Sequence, residues 1–97
     1  ALELEETRRL LQELEQAILR IEAPERERDG FLETVHHVQV ELEEPRPRAS
    51  RLLAAWGAVS TFATLEGAWQ GWERVQRISV DLAPRIQSLI EALNQST

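Results

Sequence analysis

The chain has 97 residues, 42% of them hydrophobic and 29% charged, with a formal net charge of −6 and no cysteine. That length accommodates one modest core and excludes a two-domain enzyme of any common architecture. Without cysteine there are no disulfides, thiolate metal sites or cysteine nucleophiles, and the acidic balance argues against nucleic acid, whose phosphates need a basic face.

All eleven basic residues are arginine, and two histidines with no tyrosine leave few groups for chemistry near neutral pH. The sequence starts at Ala1 and lacks methionine, which reads as a removed initiator or, as expected here for an acidic module without chemistry, a segment of a longer protein. It has neither the order of a signal peptide nor a run of 18 apolar residues, so a cytoplasmic location is expected. Charge is uneven: residues 1–48 hold 13 acidic residues and 7 arginines, whereas residues 49–97 hold 4 of each. This predicts a solvated first half and a more buried second half.

Residues 2–22 carry the clearest periodicity. Leu4, Leu11 and Ile18 are seven apart, and Thr7, Leu14 and Ile21 follow three later, with Leu10 and Ala17 on one flank. That is a helical stripe of coiled-coil type, and its opposite face carries Glu5, Glu6, Arg9, Glu13, Glu15 and Arg20. Glu5 and Arg9 are spaced for an i,i+4 pair.

Ala23-Pro24 breaks this helix, and Pro24 suits the first turn of a second one over about 25–44. Gly30, preceded by Asp29 as a cap, offers a later start. Phe31, Val35, Val38 and Leu42 form its apolar stripe. The alternation Val38-Gln39-Val40-Glu41-Leu42 resembles a strand, but no partner strand exists. Pro45-Arg46-Pro47 then ends the helix.

A third helix is predicted over about 48–75 through Leu52, Trp56, Val59 and Phe62, with Glu73 to Ser79 exposed. A fourth is predicted over about 81–94, capped by Asp81, with Pro84 in its first turn and Leu82, Ile86, Leu89, Ile90 and Leu93 buried. Short links imply antiparallel neighbours: an all-α, four-helix, up-down bundle forming a single domain.

The third segment is the unusual one. Leu52 to Leu65 is 14 residues without a charge, followed by Glu66. Small residues recur at four-residue steps in Ala63, Gly67 and Gly71, and in Ala54 and Ala58, a spacing that lets helix backbones approach closely. Trp56, Trp69 and Trp72 supply most of the aromatic content. Buried indoles are core and exposed ones dominate interfaces, so Trp56, Ala63, Gly67, Trp69, Gly71 and Trp72 are the candidate interface residues. The bland alternative is a central helix buried on two faces of its own domain.

Other groups offer less. His36 and His37 are adjacent and point apart on a helix, so with Glu33 or Glu41 they lack a third metal ligand. Ser60, Thr61 and Thr64 have no histidine base in sequence reach, and the glutamates of the first half read as a solvated face. Neither a catalytic residue nor a cofactor or metal is expected.

Trp69-Gln70-Gly71 matches the Trp-x-Gly of small secreted helical-hairpin proteins. In that family the motif sits in the turn between two long helices and is accompanied by a C-terminal tyrosine-containing export signal. Here the central break is Pro45-Arg46-Pro47 and there is no tyrosine.

A second likeness rests on Leu42-Glu43-Glu44-Pro45-Arg46-Pro47, then Arg51-Leu52-Leu53, an alanine- and glycine-rich helix and a leucine-rich terminal helix. Over about residues 30–93 this resembles the small helical modules of bacterial conflict and abortive-infection proteins, which accompany effector or sensor domains. The resemblance implies an adaptor that works by helix packing and transfers no site residues. The expected function is therefore a non-enzymatic module that self-associates, as a homo-oligomer, or recruits a partner helix. The alternatives are membrane perturbation by a Leu52–Trp72 helix and a structural cap of a longer enzyme.

Overall fold

A computed structural model describes residues 2–63 and 69–95, and over those residues it consists of α1 (Leu2–Leu19), α2 (Glu25–Glu43), α3 (Ala49–Ala63) and α4 (Trp72–Gln95). Each helix packs on two others in the cycle α1–α2–α3–α4, and neither diagonal pair packs directly among the described residues. The directions alternate. Arg8, early in α1, donates to the carbonyl of Leu42 at the end of α2 (3.1 Å), and Phe31, early in α2, stacks on Phe62 at the end of α3. Glu22, just after α1, donates its N–H to the Gln70 carbonyl just before α4 (3.2 Å). The result is the expected up-down antiparallel four-helix bundle, 42 × 22 × 19 Å.

The stripe read from α1 is the stripe buried: Thr7, Leu10, Leu11, Leu14, Ala17, Ile18 and Ile21, with Leu4 packed against them. Each fully buried leucine or isoleucine contributes about 1.5–3 kcal/mol relative to exposure. On the outer face Arg9 bonds Glu6 and Glu13 (2.6 Å to the latter), in place of the expected Glu5. The bond from Arg9 holds the Glu6 carboxyl below its ordinary range. A carboxyl lowered in this way adds stability above its unfolded value and loses it as pH falls through the folded one; being exposed, the pair adds little.

Pro24 stands at the N-cap of α2 rather than in its first turn, and the helix begins at Glu25 without waiting for Gly30. Phe31, Val35, Val38 and Leu42 are buried as expected. After α2 the backbone at Glu44 turns extended, as a residue before proline prefers. The Glu41 carboxylate is buried because it accepts the N–H of Arg48 (2.9 Å), at the entrance to α3.

Two expectations are corrected. A third helix over 48–75 and a fourth over 81–94 are not what forms: residues 69–71 are not helical and α4 already begins at Trp72. The break is Gly71, with φ 89°, a left-handed conformation that glycine adopts at no steric cost. Asp81 lies in the middle of α4 and caps nothing; Pro84 is interior to that helix. Pro84 has no N–H to donate to the carbonyl of Val80, four residues earlier. Residues 73–79 are also not simply exposed: Val75, Ile78 and Ser79 extend the buried stripe of Leu82, Ile86 and Ile90 back to Trp72.

The second correction concerns the halves of the chain. α1 and α2 contribute to the core as fully as α3 and α4 do, because their charges lie on the outer faces of amphipathic helices.

Candidate interaction surface

Of the predicted interface residues, the five described ones do not lie together on one exposed face. Trp72 opens α4 and is buried against Phe31, with ring centroids 5.8 Å apart, while Phe31 stacks on Phe62 at 5.2 Å. Trp69, half-buried, meets Trp72 edge-on at 5.4 Å. These rings seal one end of the bundle. Gly71 forms the turn beneath them, where a Cβ would lie 3.4 Å from the Cγ2 of Ile21. Trp56 is buried and Ala63 half-buried, both on the groove between α3 and α4. Gly67, Glu66 and Thr64 lie outside the described residues. The Trp-x-Gly lies just before α4, the last of four helices, while the central link of the chain is the one at Pro45-Arg46-Pro47.

What the sequence reading missed is the outer side of α3. Leu52, Trp56 and Val59 face the core, so a helix of 3.6 residues per turn places Leu53, Ala54, Gly57 and Thr61 outward, and all four are exposed. Leu53 keeps 54% of its surface in water, and nothing lies within 4 Å of where a Gly57 Cβ would be. Thr61 donates its hydroxyl to the Gly57 carbonyl (2.9 Å), which removes polarity from this face. A glycine in a helix interior costs about 1 kcal/mol relative to alanine, and nothing inside this chain uses the space Gly57 leaves.

Apolar grooves flank the α3 ridge on both sides. The one towards α4, about 510 Å³, is lined by Trp56, Ser60, Ala63, Gln76, Ser79, Val80 and Ala83. Val80 on its rim is 70% exposed, and Ser79 in it, 7% exposed, has a hydroxyl with no hydrogen-bond partner among the described residues. The groove towards α2 passes His37, Val40, Ala54, Ala55 and Ala58. The residues lining these two grooves are uncharged apart from Arg51 and Glu41, in a chain with 28 charged residues. The off-register apolar residues Leu53 and Val80 were the available signal: each stands next to a core stripe without belonging to it.

Elsewhere the geometry offers little chemistry. A crevice of about 740 Å³ at the α2–α3 link holds Arg46, Arg48 and Arg51, but Glu41 and Glu44 share it and offset most of that charge. His36 and His37 are exposed on α2, and among the described residues no three histidine, aspartate or glutamate side chains cluster as metal ligands would. No described helix is long and apolar enough to cross a membrane, and the Leu52–Trp72 segment is not one helix, being interrupted at Trp69–Gly71.

No family model matches the chain, and comparison with curated proteins and with solved structures finds no similar one.

Proposed function

We propose that this chain is a non-enzymatic helical interaction module that self-associates through the outer face of α3 and the adjoining flank of α4. The observation that carries this reading is the exposure of two apolar side chains, Leu53 on the outer side of α3 and Val80 on the rim of the α3–α4 groove, both more than half exposed, beside the open space at Gly57. Scattered exposed apolar residues need no explanation, but a contiguous uncharged patch on a densely charged surface marks an interaction site. The tryptophans support it indirectly, by fixing the end of the bundle from which α3 and α4 diverge. An adaptor working by helix packing is also what the likeness to conflict-protein modules implies.

The test is charge insertion. Leu53→Glu with Val80→Glu should reduce the solution mass to that of the 11.1 kDa chain at concentrations where the unaltered protein associates. The helical circular dichroism should stay unchanged, because both positions are exposed. Association that survives both glutamates places the interface elsewhere.

A further inference from the structure

We draw no further inference here: the strongest candidate, the apolar groove between α3 and α4 with Val80 on its rim, is an unpartnered face, and nothing in the structure shows what covers it.

Discussion

Replacing Phe31 with alanine should destabilise the bundle by about 3–5 kcal/mol, the range for removing a buried aromatic ring. Phe31 is the largest of the fully buried side chains and joins three elements: it sits in α2, stacks on Phe62 of α3 and meets Trp72 of α4. Removing it empties the space between those rings, and the rigid aromatics around it cannot collapse to fill the void. Domains of this size have only about 5–15 kcal/mol in total, so the variant should stand close to unfolding. Urea denaturation followed by tryptophan fluorescence checks it, with an expected midpoint shift of about 1–5 M. An unchanged midpoint would mean that the aromatic cluster does not hold this end of the bundle together.

The second large effect is expected at Gly71. Valine there must adopt φ 89° with a branched side chain 3.4 Å from Ile21 Cγ2 and 3.6 Å from the Arg20 carbonyl. Left-handed backbone costs an L-residue about 1–2 kcal/mol, and a β-branched side chain in contact with a packed isoleucine adds to that. A loss of about 2–3 kcal/mol is expected for Gly71→Val by the same denaturation. Gly57→Ala should do the reverse, raising monomer stability by up to about 1 kcal/mol, since position 57 is helical and open. Opposite signs at the two glycines would establish that one makes a turn and the other a surface. Equal losses would contradict that distinction.

That distinction also explains where the sequence was legible and where it was not. The α1 stripe could be read residue by residue because Leu4 to Ile21 repeats over more than two heptads with charges on the other face. Pro45 and Pro47 marked the α2–α3 link for the equally local reason that proline cannot continue a helix. The α3–α4 break was hidden. Gly71 lies among small residues at helical spacing, so its left-handed turn reads as close packing. Asp81 with Pro84, meanwhile, imitates a helix start in the interior of α4. Placing the start of the last helix at Asp81, nine residues after Trp72, made Trp69 and Trp72 look like one face of α3, when they close the end of the bundle. It also concealed Val80, which becomes a partner of α3 only when α4 begins at Trp72 and runs back alongside it. Which apolar residues lie outside a core stripe follows from packing between helices, and no periodicity within one helix reports it.

Self-association through the α3–α4 face is read out by absolute mass from light scattering over a hundredfold range of concentration. The expected mass rises with concentration from that of the 11.1 kDa chain to twice that value and stops there, because a two-fold contact closes on itself. A mass that stays at the single-chain value at every concentration would contradict it.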